Sequence, residues 1–386
     1  MKVTSLELKD VGGIPNLNLE DINSQMNIIC GENGVGKTNI LDSIASCYSS
    51  YNQNVVMRRS GSSVGQIKLE RDVGSPIVIS LLDFKPSENT HYLSNSYFED
   101  SKTNLLYLKI NRSINYKSVR SINADPDSFH RSNNNNAGIQ NEDIKDWLLN
   151  RILHSAHKGH LTETQLANLE FAKECFSILN PNYIYKRLDT NNEIFLETPT
   201  GEIYFEYLSS GFKSIIFILL GIIKEIDYRF ENNRISAKDY DGVILIDEIE
   251  LHLHPEWQGQ ICSVLKEAFP KAQFFISTHS PHVVQTALKD EVIALERRDN
   301  GVVRRTLPTS EYGYQGWTIE EILEDVMGMT DLRTQKYNEV KKRFDEALDS
   351  KNKQEAQLAF NELERMLHPN YPLKPVFKIQ LDSLGE

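Results

Sequence analysis

Residues 31–38 read Gly-Glu-Asn-Gly-Val-Gly-Lys-Thr, a full G-x-x-x-x-G-K-[ST] phosphate-binding loop. It follows the apolar stretch Met26-Asn27-Ile28-Ile29-Cys30 and precedes residues 39–45, where Ile40, Leu41, Ile44 and Ala45 fall at helical spacing. Each part of the loop has a physical task. Gly31, Gly34 and Gly36 let the backbone turn tightly and aim its N–H groups at phosphate oxygens, Lys37 neutralises the β- and γ-phosphates, and Thr38 offers a hydroxyl to Mg2+. A nucleoside triphosphate with Mg2+ is the implied ligand, held by Asn33, Gly34, Val35, Gly36, Lys37, Thr38 and Asn39. The competing explanation is a Gly-rich turn that happens to precede Lys-Thr. The flanking strand and helix favour the phosphate loop.

Two later motifs bear on the same chemistry. Leu208-Ser209-Ser210-Gly211-Phe212 opens the apolar run Ile215-Ile216-Phe217-Ile218-Leu219-Leu220, with Ser209 at a helix N-cap position. Such a terminus can hold a phosphate as readily as it caps itself, and taken alone it fits an ordinary core helix. Gly242-Val243-Ile244-Leu245-Ile246-Asp247-Glu248 is an apolar strand ending in two carboxylates, an arrangement in which Asp247 orients Mg2+ through water and Glu248 polarises the attacking water. Adjacent acids at a buried strand end are costly unless a phosphate loop and Mg2+ supply the counter-charge. The strand Gln273-Phe274-Phe275-Ile276 then delivers Ser277-Thr278-His279-Ser280-Pro281, placing His279 within reach of a γ-phosphate.

The bounds on the chain are compatible with an α/β protein. Its 386 residues suit one large domain with insertions, or two or three lobes. The formal charge of -12 excludes a global positive field for nucleic acid, so any such contact is local. Cys30, Cys47, Cys175 and Cys262 lack C-x-x-C spacing, which fits buried thiols in a reducing cytosol. The N-terminus enters strand-like alternation without a signal sequence, and the apolar run from Ile215 to Ile223 is too short to span a bilayer. A soluble, cytoplasmic protein without membrane contact is expected.

Further along, strands are expected near 66–72, 76–84 and 105–111, helices near 142–155 and 163–179, and a strand pair around 183–206 broken by a turn at Asp189-Thr190-Asn191-Asn192. Residues 49–64 are expected to be a polar loop, and residues 121–141, including Asn133-Asn134-Asn135-Asn136, a flexible surface loop.

The order GENGVGKT, LSSGF, VILIDE and STHS resembles the Walker A, signature, Walker B and switch-histidine motifs of ABC-type ATPase heads. NGVGKTNILDSI and DEIELHLHP are similar to the RecF and SMC-like branch, and most similar to AAA-type ATP-binding proteins and the antiphage-defence ATPases of Septu and retron systems. The resemblance runs from residue 1 to about 300 and extends to the helical C-terminus. It implies an ABC-type head over residues 1–310, with a mixed N-terminal β-subdomain, a helical insertion lobe at about 115–235, and a C-terminal helical hairpin over 311–386 that serves as a docking element. Two heads would sandwich two ATP molecules, with Lys37 and Thr38 of one facing Ser209 and Gly211 of the other. Glu248 would activate water, Asp247 would support Mg2+, and His279 would hold the γ-phosphate. Residues 250–255 would form the loop joining the two sites. His252 and His254 are alternatively metal ligands if they lie on a strand. The signature departs from the family pattern, with Ser210 where Gly is usual and Phe212 where Gln is usual. Gln66 is the nearest candidate by order for the lobe-linking glutamine.

No sustained heptads occur between Thr38 and Ser209, so long coiled-coil arms are not expected. The acidic cluster of an appended nuclease domain is missing after His279. The C-terminal part carries three apolar faces: Ile319, Ile322, Leu323, Val326 and Met327; Tyr337, Val340, Phe344 and Leu348; and Ala356, Phe360, Leu363 and Leu367. They form either a self-packed end to the fold or a docking surface. The resemblance supports two functions. One is an ATPase subunit of an antiphage complex, a homodimer or higher oligomer controlling a separate nuclease or toxin, with nucleic acid reached through the complex. The other is a RecF-like repair clamp acting on DNA directly, which requires a Lys/Arg stripe. Arg58-Arg59, Arg297-Arg298, Arg304-Arg305 and Lys341-Lys342-Arg343 are instead scattered among acids.

Overall fold

The computed structural model describes residues 2–48, 56–85, 92–94, 104–112, 115–119, 121, 124–125, 138–139, 143–178, 180–230, 233–298 and 301–385. Residues 49–55 of the loop expected at 49–64, and most of the loop expected at 121–141 with its Asn run, lie outside them. The chain forms two compact units, Met1–Gly328 and Met329–Glu386.

In chain order the strands are β1 (Val3–Val11), β2 (Ile14–Leu19), β3 (Met26–Gly31), β4 (Gly65–Arg71), β5 (Ile77–Leu81), β6 (Tyr92–Ser94), β7 (Leu105–Leu108), β8 (Ile184–Leu188), β9 (Ile194–Thr198), β10 (Gly201–Tyr204), β11 (Val243–Ile246), β12 (Gln273–Ser277), β13 (Val292–Arg298) and β14 (Gly301–Arg304). The longer helices of the first unit are α1 (Lys37–Cys47), α2 (Ile144–Ser155), α3 (Glu163–Ile178), α4 (Ser210–Arg229) and α5 (Ile261–Ala268). The central sheet runs β14-β13-β3-β12-β11-β7, parallel except for the antiparallel edge strand β14. An antiparallel sheet runs β2-β1-β4-β5-β6, and a small one β10-β9-β8.

The central strands are buried on both faces, and side-chain alternation divides them between two cores. Met26, Ile28 and Cys30 of β3, Ile244 and Ile246 of β11, and Phe274 and Ile276 of β12 join the core built with α2, α3 and α4. Ile29, Val243, Leu245 and Phe275 face the other way, onto α1 and the antiparallel sheet. Helix α4 is buried from Ile215 to Ile223, so this apolar run is a core helix. No helix of the described residues is long and apolar enough to cross a membrane. All four cysteines are free and buried, and burial pushes the thiols of Cys30, Cys47 and Cys262 up to about 12.

Several sequence expectations change. The strand pair at 183–206 is three strands, the first hairpin turning at residues 189–192 with Asn192 at φ 62° and Asp189 accepting from the N–H groups of Asn191 and Glu193. The strand at 105–111 stops at Leu108. Residues 311–328 belong with the first unit, because Tyr314, Ile322, Val326 and Met327 enter its core. The second unit holds three helices rather than a hairpin: α6 (Gln335–Asp349), α7 (Lys353–Met366) and α8 (Lys374–Asp382). Thr334 and Asn352 cap the first two. Phe344 of α6 packs with Phe377 of α8, ring centroids 5.9 Å apart, in a core shared with Val340, Ala356 and Leu363.

Buried charge fixes the helical lobe. Lys145 of α2 reaches Glu193 at 2.7 Å and Glu206 at 2.5 Å, with only 5% of its side chain exposed. Burial opposes that charge, but the two carboxylates overcome it and hold the lysine above its ordinary pKa. Lys145→Met strands two acids in the interior and is expected to cost about 3–5 kcal/mol. Urea denaturation followed by tryptophan fluorescence tests this, and an unchanged midpoint contradicts it.

Candidate nucleotide site

The phosphate loop is shaped by backbone angles that side chains rarely adopt. Gly31, Gly34 and Gly36 have φ of 139°, 75° and 108°. At Gly31 a Cβ would collide with the Leu295 carbonyl of β13, and at Gly36 it would lie 2.7 Å from Ile14. Gly34 faces open space. Gly36 caps α1 without any side-chain acceptor, so the first N–H groups of this helix are turned toward the loop with no cap of their own. Val35 is buried as the loop's apolar anchor, Asn33 is exposed, and Asn39 packs against Gly12 of the β1–β2 turn. The Lys37 side chain folds back along the loop, donating to the carbonyls of Gly31 at 2.9 Å and Glu32 at 3.1 Å. Burial holds its ammonium below the ordinary lysine range, opposed by Cys30, Glu250, Glu248 and Asp247.

The carboxylates at the end of β11 meet this loop. Thr38 Oγ1 lies 3.3 and 3.2 Å from the two Asp247 oxygens. Asp247 is 6% exposed and also accepts from Ser277 Oγ at 2.5 Å. That same hydroxyl accepts from the Glu248 N–H at 2.7 Å, so Ser277 ties both acids to the end of β12. Glu248 takes φ 49°, a left-handed conformation that costs a residue with a side chain about 1–3 kcal/mol. Its carbonyl and those of Asp247 and Ile249 accept from the buried Arg112 guanidinium, which burial pulls down to about 10 against the opposing pull of Glu250, Asp247 and Glu248. The Glu250 carboxylate accepts from Thr278 Oγ1 and from the His279 N–H, both at 2.7 Å. His279 itself is exposed at the mouth of this cluster.

Arg112 carries no local sequence signal, and Ser277 and Glu250 enter the sequence reading only as members of the STHS and DEIELHLHP motifs, without these bracing roles. They become visible only when β7, β11 and β12 are laid side by side. Gln66 is exposed on β4, in register with Lys9 and Ser80. The segment that leaves β7 and reaches the acids is 109–112. His252 and His254 sit in a turn, not on a strand. His252 has φ 67°, and His254 Nδ1 accepts from the Glu256 N–H at 3.4 Å as a helix cap. Among the described residues no group of three or more His, Cys, Asp or Glu side chains is placed to hold a metal ion. A hard-oxygen pair, Thr38 hydroxyl and Asp247 carboxylate, is the donor set next to the loop, and it fits Mg2+ shared with phosphates rather than an all-protein cage.

At the signature, Ser209 accepts from the Phe212 N–H at 3.3 Å and caps α4, with Ser209 and Ser210 both exposed. Gly211 has an internal reason to be glycine. A Cβ there would stand 2.8 Å from the His252 carbonyl and 3.1 Å from the Trp257 ring.

A family profile described as "AAA ATPase domain" matches residues 76–284. The Septu protein PtuA of Bacillus thuringiensis is 38% identical over 392 residues, covering 99% of this chain and 98% of that protein. The chain belongs to the Septu PtuA family of ATPases. The probable ATPase of retron Ec83 from Escherichia coli is 32% identical over 117 residues, covering 30% of this chain and 21% of that protein. The solved SmcHead bound to the C-winged helix domain of ScpA aligns with a TM-score of 0.50 at 16% identity, covering 80% of this chain and 98% of that one. The first unit therefore has the SMC-like ATPase head fold, and this family member is an ATP-binding α/β P-loop ATPase.

Ser277→Ala removes the hydroxyl that donates to Asp247 and accepts from Glu248. A loss of about 1–3 kcal/mol is expected, measured as a lower thermal midpoint. Wild-type stability would show that the two bonds carry no net free energy.

Proposed function

We propose that this protein hydrolyses ATP at a site completed by a second copy, and that the ATP-gated pairing controls a separate nuclease or toxin in antiphage defence. The observation that carries the chemical part is the meeting of Thr38 Oγ1 with both Asp247 oxygens at 3.2–3.3 Å, since it joins the phosphate loop to the paired acids. On this reading the uncapped start of α1 and Lys37 hold the triphosphate, with Asn33, Gly34, Val35, Gly36 and Asn39 lining it. Thr38 and Asp247 would hold Mg2+, the latter through water, and the bound ion would offset charge on the phosphate oxygens. Glu248, half-buried beside them, polarises the attacking water, and His279 at the exposed edge contacts the γ-phosphate.

Ser209 and Ser210 are exposed at the start of α4, as a surface that meets a partner's nucleotide requires. The antiphage role rests on the near full-length relationship to the Septu PtuA protein. A direct DNA clamp has less support. Arg58 donates to the carbonyls of Leu82 and Ser62, Arg59 pairs with Asp10, Arg304 reaches the Val292 and Glu20 carbonyls, and Arg343 pairs with Glu355 and Glu362.

Glu248→Gln is expected to keep ATP affinity within about 3-fold and lower turnover by about 100-fold or more. Nucleotide binding and phosphate release measured on the same preparation test this, and wild-type turnover sinks the role of Glu248. With ATP, the trapped variant is expected to sediment as a dimer or larger species. Sedimentation that ignores ATP argues against nucleotide-gated pairing.

A further inference from the structure

The Glu248 carboxylate accepts no hydrogen bond from the described residues, so its aim depends on the backbone that carries it. That backbone is a left-handed turn, unfavourable for a residue with a side chain. On its N–H side the turn is tied to two strands: Asp247 N to the Leu108 carbonyl at 3.0 Å, Glu248 N to Ser277 Oγ at 2.7 Å, and Ile249 N to the Ser277 carbonyl at 3.0 Å. On its C=O side one side chain does the equivalent work.

We propose that Arg112 is a positioning residue for ATP hydrolysis, a clamp that holds the turn aiming Glu248 and anchors it to the chain segment leaving β7. The clamp rests on the role proposed for Glu248 in activating water. Arg112 Nη2 donates to the carbonyls of Asp247 and Glu248, the latter at 2.7 Å, and Nη1 to that of Ile249 at 3.4 Å. Nε donates at 3.2 Å to the carbonyl of Lys109, just past the end of β7. A buried guanidinium ordinarily faces a carboxylate, yet every hydrogen bond described for this one ends on a backbone carbonyl. Three consecutive carbonyls of one turn are met by a planar fork of donors, which lysine cannot reproduce because its donors radiate from a single atom.

The placement also has a mechanical consequence. Arg112 lies on the segment after β7, the strand paired with β11 in the register Ile246 to Leu108. Displacing residues 109–112 would withdraw the clamp from that turn, and none of the Arg112 hydrogen bonds given above ends on the phosphate loop. Substitution should therefore separate turnover from nucleotide binding.

The test uses the full chain carrying Arg112→Lys and, separately, Arg112→Gln, each alone and combined with Glu248→Gln. The clamp predicts that kcat falls about 10- to 100-fold with KM within about 3-fold, and that either Arg112 change alters the residual rate of Glu248→Gln by less than about 3-fold. Wild-type kcat in both Arg112 variants, with Glu248→Gln inactive, overturns the clamp and leaves the role of Glu248 standing. Losses that multiply with Glu248→Gln, or that move KM together with kcat, also overturn it, since they mark a general structural role. Wild-type turnover in Glu248→Gln removes the premise and the clamp with it.

Discussion

Two carboxylates stand at the end of a strand buried on both faces, and the head is organised around making that arrangement tolerable. Charge in such a place is costly unless donors and cations surround it. Four side chains supply them: Thr38 from the start of α1, Ser277 from the end of β12, and Arg112 from the segment beyond β7, with Lys37 alongside. Their convergence comes from parallel topology. In the registers Ile246 to Leu108, Ile246 to Ile276 and Ser277 to Ile29, the strands finish together, and the segments leaving them gather at one edge. Open α/β sheets bind ligands at that edge for this reason.

The part of the site legible in the sequence was local. A strand, a tight glycine loop and a helix in succession specify one another through backbone angles and apolar period, and Gly31 to Thr38 adopts the loop that its residues imply. The alternation that sends Ile28 to one core and Ile29 to the other is equally local. Arg112 was not legible, because the three turn carbonyls it meets lie 135 to 137 residues away and no spacing rule connects them. Glu250 was read only as part of a connecting loop, yet it braces the strand end that presents His279. Gly211 matches a signature glycine in the sequence, while its closest constraint in the fold is the carbonyl of His252. The third helix of the second unit gives a weak sequence signal because its buried side is narrow, with only Phe377 and Leu381 buried along it.

The loop at 250–255 and the start of α4 are mechanically linked within one chain. Gly211 abuts the His252 carbonyl, Ser214 donates to the Leu251 carbonyl at 3.1 Å, and Phe212 meets the Trp257 ring edge-on at 5.8 Å. The acids continue directly into that loop. The exposed start of α4 at Ser209 is thus joined by direct contacts to the loop that continues from Glu248, and the proposed pairing between copies would act through them. The formal charge of -12 provides no global positive field for a wide nucleic-acid track.

The central claim is that each chain holds half of a catalytic site. Mixing two separately inactive full-length variants, Lys37→Ala and Ser209→Arg, tests it most directly by ATP hydrolysis. A mixed pair contains one site with an intact phosphate loop facing an intact signature, so the mixture is predicted to recover about a quarter of the wild-type rate if subunits pair at random and sites act independently. A mixture as inactive as its components, or full activity in Ser209→Arg alone, would contradict a site shared between two copies.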